Sequence, residues 1–216
     1  MLFSPGLYLP MGKKPGAAVV AATTFDPAHN TNATLSPDKL TANATGTANF
    51  GVYSIAPTTA NQKAYVEFTV TTLVPGDPFI IGFGNDNTIT GRFPGSNVSP
   101  SHGFATNGGA QFNCLDSADN ATAILLSAIV QGDLVDVAVD TANSKFWMRV
   151  NNGGWNAGQG GTQDPATNQG GVTYSPVTGP FYFFVGIDAT AGDGGTVRFS
   201  STSWLHTPPS GFTQPA

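Results

Sequence analysis

Gly132-Asp133-Leu134-Val135-Asp136-Val137-Ala138-Val139-Asp140, followed after Thr141-Ala142-Asn143-Ser144 by Lys145-Phe146-Trp147-Met148-Arg149-Val150-Asn151-Asn152-Gly153-Gly154-Trp155, decides the fold. Successive side chains of a strand point to opposite faces, so Val135, Val137 and Val139 share one face while Asp136 and Asp140 share the other. Phe146 and Met148 repeat the apolar face in the second run, with Trp147 and Arg149 opposite. Between the runs, Thr141 to Ser144 has the composition of a turn, and Gly132-Asp133 makes the turn that precedes them. The stretch is therefore a β-hairpin whose valine face enters a core, and both aspartates are expected to face water.

Other strands follow on either side. Ala64 to Val70 alternates, with Val66, Phe68 and Val70 inward and Tyr65, Glu67 and Thr69 outward, as in a half-buried strand. Phe79-Ile80-Ile81-Gly82-Phe83 and Phe181 to Ile187 are nearly continuous apolar runs, the pattern of central strands covered on both faces. Thr196-Val197-Arg198-Phe199 reads as a final strand. Ala121 to Ile129 fits a short helix or a strand, because its β-branched residues and the Gly132-Asp133 turn beyond it suit either.

Composition agrees. Only 10% of the 216 residues are charged, and 27 Gly and 16 Pro interrupt the chain too often for helices of ordinary length. One all-β domain, an antiparallel two-sheet sandwich over residues 23–216, is the expected architecture. Residues 1–22 precede it as an extended arm. There Leu2, Phe3, Leu7, Tyr8, Leu9 and Met11 are scattered among Pro5, Pro10 and Pro15, which prevent a helix from gathering them on one stripe. Such side chains need a groove on this domain or on a neighbouring subunit, so the arm is expected to serve assembly.

A net charge of −5 and a sequence pI near 4.8 leave no cationic surface for a run of phosphates, so nucleic acid is not an expected partner. No apolar run approaches the roughly 20 residues that span a bilayer, and membrane insertion is not expected. Lys13-Lys14 before Gly16 to Ala22 loosely imitates a secretion signal, but the apolar part is short and follows a proline-broken leader. Cys114 is the only cysteine, which excludes an intramolecular disulfide and a thiolate-rich zinc site.

In order and spacing, these pieces resemble the SPRY family of concanavalin-like jelly-roll sandwiches. The resemblance is carried by Leu35-Ser36-Pro37-Asp38-Lys39-Leu40, by Lys63 to Val70 with its aromatic-X-Glu strand, and by Ile80 to Phe83 and Ser101-His102-Gly103-Phe104. The Gly132–Trp155 hairpin, Gly179 to Ile187 and Pro208-Pro209-Ser210-Gly211-Phe212 complete it over residues 35–212. After Trp155 comes an insert, Asn156 to Val172, that has no Lys or Arg and contains Asp164-Pro165-Ala166-Thr167 before paired glycines. This variant is similar to SPRY-type domains of bacteriophage and bacterial proteins, and the resemblance implies a phage structural setting.

Catalytic chemistry finds little support in the residues. His29, His102 and His206 accompany no Gly-X-Ser-X-Gly elbow, and each reads as a turn or surface residue. Glu67, the only glutamate, reads as an outward ladder partner, and Asp136 with Asp140 as a solvated pair. Gly82-Phe83-Gly84 lacks the third glycine of a phosphate cradle. Asn85-Asp86-Asn87 and Asp116 to Asn120 offer oxygens but not the spacing of a calcium loop, and no metal or cofactor is expected. What remains is surface: Arg92 and Phe93, Asn151, Asn152 and Trp155, and Asp164 in the insert are the candidate contact residues. The expectation is a non-enzymatic virion component, a capsid decoration or head or tail fibre protein. It would be assembled in the host cytoplasm, exposed on the particle, and joined to other virion subunits in a symmetric or homo-oligomeric assembly. The alternative is a carbohydrate-binding module that adheres to a host-surface glycan.

Overall fold

The computed structural model describes residues 23–46, 50–74, 79–87, 103–107, 111–115, 121–174, 179–187 and 191–215. The arm at 1–22 and the candidates Arg92, Phe93, His102 and Asp116 to Asn120 lie outside the described residues. Two antiparallel sheets face each other. The first holds, in spatial order, β1 (Phe25–Thr31), β4 (Phe50–Ser54), β13 (Tyr182–Ile187), β6 (Phe79–Gly84), β7 (Gly103–Asn107), β8 (Gln111–Leu115) and β9 (Ala121–Ser127). The second holds β12 (Val172–Thr173), β11 (Lys145–Val150), β10 (Leu134–Asp140), β5 (Lys63–Thr72), β14 (Gly194–Arg198), β3 (Thr41–Ala44) and β2 (Ala33–Leu35). The fold class is the sandwich expected from the sequence, and Ala121 to Ser127 resolves as a strand.

The β10–β11 hairpin has the register that its sequence requires, with Val135 opposite Val150, Val137 opposite Met148 and Val139 opposite Phe146. All three valines, Phe146 and Met148 are fully buried in the core between the sheets. Across the core from Phe146 stands Phe83 of β6, their ring centroids 5.2 Å apart and edge to face, and Phe181 packs on the same Phe83 ring at 5.1 Å. Such pairs favour one relative placement of the two sheets beyond the area they bury. The turn before β10 is built by Asp133, whose carboxylate accepts the backbone N–H of Val130 (2.8 Å) and the side-chain amide of Asn151 (2.7 Å).

The outward face of β5, β10 and β11 departs from expectation. Tyr65, Glu67, Asp136, Ala138, Asp140 and Trp147 are all fully buried, and Arg149 nearly so. The strands are not half-buried: two irregular segments close over this face. Residues 204–214 cross β5 and β10, placing Phe212 against Trp147 (6.5 Å) and Trp204 against Tyr65 (4.9 Å). The insert after Trp155 folds back on β11, where the Trp147 indole donates to the Gln169 carbonyl (3.1 Å).

Candidate functional site

Under residues 204–207, four ionisable side chains converge on the covered face. Register places Asp136 of β10 opposite both Glu67 of β5 and Arg149 of β11, so three charges meet across adjacent strands. Burying a charge is costly unless it is paired or hydrogen-bonded: Asp136 is paired with Arg149 and His206, and Glu67 is held by hydrogen bonds alone. Arg149 Nε donates to Asp136 Oδ2 at 2.5 Å, and a second guanidinium nitrogen donates to the Thr207 carbonyl. His206 Nδ1 lies 3.0 Å from both Asp136 oxygens. Glu67 Oε1 accepts the Tyr65 hydroxyl (3.0 Å) and the His206 backbone N–H (2.8 Å), while Oε2 accepts the Leu205 N–H (2.8 Å). Glu67 and Asp136 are thus neither ladder ornaments nor solvated groups, and His206 is a fastening of the terminal segment.

Burial pushes the Asp136 carboxyl above the usual carboxylate range, while Arg149 and His206 pull the other way. The Tyr65 phenol is raised by burial and then by the neighbouring Asp136 and Glu67 charges, so it stays protonated and donates. Ligand atoms of Glu67, Asp136 and His206 lie within 4.8 Å of one another, close enough to suggest a metal centre. The donor set does not fit one. Both Glu67 oxygens already accept N–H or O–H donors, and the Arg149 guanidinium supplies the positive charge that Asp136 faces. The cluster is a clamp that holds residues 204–207 to the sheet.

The candidate contact residues separate into different neighbourhoods. Asn151 spends its amide on the turn, accepting the Leu134 N–H (2.9 Å) and donating to Asp133. Asn152, beside it, is exposed in the left-handed region at φ 57°. Trp155 is half-buried, with the Arg149 guanidinium stacked 4.3 Å from its ring centre. Asp164 caps a turn, accepting the Ala166 N–H and the Thr167 hydroxyl.

Sequence reading missed the two residues that organise the insert. The buried Asn156 accepts the Met148 N–H (2.9 Å), satisfying the β11 edge beyond its short pairing with β12, and donates to Gln163 Oε1 (2.9 Å). Gln163 in turn accepts the Gly171 N–H (2.8 Å) and donates to the Gln159 carbonyl (2.6 Å). A Cβ on Gly170 would collide with the Gln163 side chain, and one on Gly171 would meet Trp147 at 2.6 Å, so the paired glycines let the insert close on its own Gln163 and on the sheet.

At one end of the sandwich lies an open hollow of about 150 Å³ lined, among the described residues, by Thr59, Ala60, Asn61, Thr141, Ser144, Tyr174, Gly179 and Pro180.

No family model matches the sequence, and no curated protein matches it. In fold it is similar to the SPRY domain of human HERC1, at TM-score 0.59 and 11% identity over 80% of this chain and 96% of that one. A human SPRY domain is similar at TM-score 0.56 and 12% identity, over 78% of this chain and 96% of that one. The NEUZ (NHR) domain in Neuralized from Drosophila melanogaster is similar at TM-score 0.51 and 14% identity, over 90% of this chain and all of that one, 100%. The molecule therefore has the SPRY-type, concanavalin-like sandwich fold. At these identities the likeness is one of fold, and function has to be argued from the surface.

Proposed function

We propose that this domain is a non-enzymatic binding module that works by presenting a rigid surface to a partner. The observation that carries the reading is the clamp. Glu67, Asp136, Arg149 and His206, a cluster with the chemistry for acid–base work, are spent on holding residues 204–207 to the sheet. Loops fixed to the sandwich by their own side chains, as the 156–172 insert is by the buried Asn156 and the half-buried Gln163, are what a contact surface needs. On the finer level the partner is a neighbouring virion subunit of a bacteriophage, and the domain is a capsid decoration or fibre component. Support for this comes from the insert after Trp155, which has no Lys or Arg, and from the apolar arm at 1–22. Negative-stain imaging of purified particles carrying a tagged copy tests it: label on the particle supports the virion reading, and absence of the protein from particles overturns it.

A further inference from the structure

A second, smaller core sits outside the sandwich. Tyr65 of β5, Ala138 of β10 and Trp147 of β11 are fully buried on the outward face of their sheet, and Phe212, Trp204 and Trp155 pack with them. The sheet itself separates this cluster from the valines and phenylalanines that fill the space between the two sheets. Its cover comes from both irregular segments. Trp204 and Phe212 belong to the strap formed by residues 204–214, and Trp155 heads the short Trp155–Gly158 turn that leads into the insert.

Two side chains of β11 tie these segments to each other. Trp147 donates its indole N–H to the Gln169 carbonyl of the insert (3.1 Å), and its ring meets Phe212 of the strap edge to face, with centroids 6.5 Å apart. Two residues further along the same face, Arg149 donates to the Thr207 carbonyl of the strap (3.3 Å), and its guanidinium lies 4.3 Å from the centre of the Trp155 ring. Each side chain touches both segments, and each is almost fully buried between them. Lifting the strap would strip Phe212 from Trp147 and let water onto Arg149, and a cation–ring contact weakens when the cation is solvated. Lifting the insert would uncover the same indole and take Trp155 off the same guanidinium.

We infer that the strap and the insert open and close as one cooperative unit, coupled through Arg149 and Trp147, while the sandwich beneath them stays closed. Native proteins open in contiguous units whose members share contacts, and a small core under irregular segments opens more readily than paired central strands. The coupling gives the surface two linked parts. A partner that grips the insert also steadies Leu205, the exposed apolar side chain of the strap, and by reciprocity a partner on the strap steadies the insert. The inference goes beyond the binding-module reading and does not depend on which partner is bound.

Amide hydrogen exchange of the full chain tests it, with one substitution aimed at each segment. Asn156→Gly removes a side chain that hydrogen-bonds Met148 and Gln163 and reaches no residue of the strap. Glu67→Gln removes an acceptor of the Leu205 and His206 N–H groups and reaches no residue of the insert. Exchange at Leu205, His206 and Thr213 should quicken about tenfold in Asn156→Gly, and exchange at Asp164, Gln169 and Gly171 about tenfold in Glu67→Gln, with β6 and β13 at parent rates in both. Arg149→Lys keeps a charge beside Asp136 but loses the planar fork and the stacking face. In that background each substitution should still quicken its own segment, while its effect on the other shrinks to about threefold or less. The inference is overturned if either substitution leaves the other segment at its parent rate, if β6 and β13 quicken as well, or if the cross-effect is undiminished in Arg149→Lys.

Discussion

The carboxylate of Glu67, midway along β5, accepts the backbone N–H of His206 at 2.8 Å, joining residues 139 positions apart in the chain. Its other oxygen takes the Leu205 N–H, so one buried side chain gathers two consecutive backbone donors. Leu205 itself remains largely exposed, a large apolar side chain held in a fixed place by the charge beneath it.

Glu67→Gln is the direct test of the clamp. An amide keeps the shape but has one acceptor oxygen, so either the Leu205 N–H or the pair from His206 and Tyr65 faces an NH2 group. Leaving a buried donor unsatisfied costs about 1–3 kcal/mol, read as a lower urea midpoint. Faster amide hydrogen exchange at Leu205 and His206, with unchanged exchange in β6 and β13, is the local signature. Uniform loosening of both sheets would show that Glu67 supports the whole sandwich rather than this segment.

Asp136→Asn tests the pair beneath it. Arg149 is nearly buried and would keep its charge beside a neutral amide, and breaking a buried pair by removing one partner costs about 3–5 kcal/mol. A melting temperature within a degree or two of the parent would mean that water reaches the guanidinium and that the pair is a surface one.

The two faces of the β10–β11 hairpin were not equally legible in the sequence. Strict alternation places Val135, Val137 and Val139 in a core, and the structure buries them. The same period says that the opposite face differs, and nothing about whether it is covered. Its cover is supplied by residues 204–214, remote in sequence, proline-containing and without periodicity, so Asp136 read as a solvent group. A charged pair in register, Asp136 opposite Arg149 with an aromatic beside it, was the available hint. The insert was visible as a departure in length, but its rigidity depends on which carbonyl and amide groups Asn156 and Gln163 reach, and chain order does not encode that.

Asn156→Gly should free the insert. The left-handed φ of 48° suits glycine, so the substitution removes the side chain without straining the backbone. It leaves the Met148 N–H without its acceptor and Gln163 Oε1 with one of its two donors, a cost of about 1–3 kcal/mol. Limited proteolysis should then cut within 156–172 well before the parent protein is cut. Equal resistance would show that the indole of Trp147 and the Lys145 ammonium, which reach the Gln169 and Asn168 carbonyls, hold the insert alone.

At the N-terminal edge, Asp26 supplies a pH dependence with a definite sign. Partial burial raises its pKa, but hydrogen bonds from His29 and from the Ala28 N–H outweigh this and hold it below the ordinary 3.8. A carboxylate lowered in the folded state contributes stability that is fully present above the unfolded value and is lost as pH falls through the folded one. The difference in melting temperature between the parent and Asp26→Asn should therefore be largest near neutrality and shrink as pH drops below about 4. A difference that grows on acidification would reverse the assignment.

The structure fixes where the arm should be cut. Thr23 is buried and its hydroxyl accepts the Ala56 N–H at 2.8 Å, while the Thr24 carbonyl accepts the Ile55 N–H at 2.8 Å, so β1 is anchored to β4 from Thr23 onward. Deleting residues 1–22 leaves those bonds intact. The deleted segment carries Leu2, Phe3, Leu7, Tyr8, Leu9 and Met11, each worth about 1.5–3 kcal/mol if fully buried, before the ordering entropy of an extended chain is subtracted. The net gain for one copy is small, but in a symmetric assembly the same docking is repeated and accumulates by avidity. The truncated protein should fold with nearly unchanged thermal stability and lose most of its attachment to particles or sister subunits, measured by co-sedimentation. A large fall in melting temperature would instead place the arm in the core of its own sandwich, and normal assembly without it would move the interface to the loops and sheet faces.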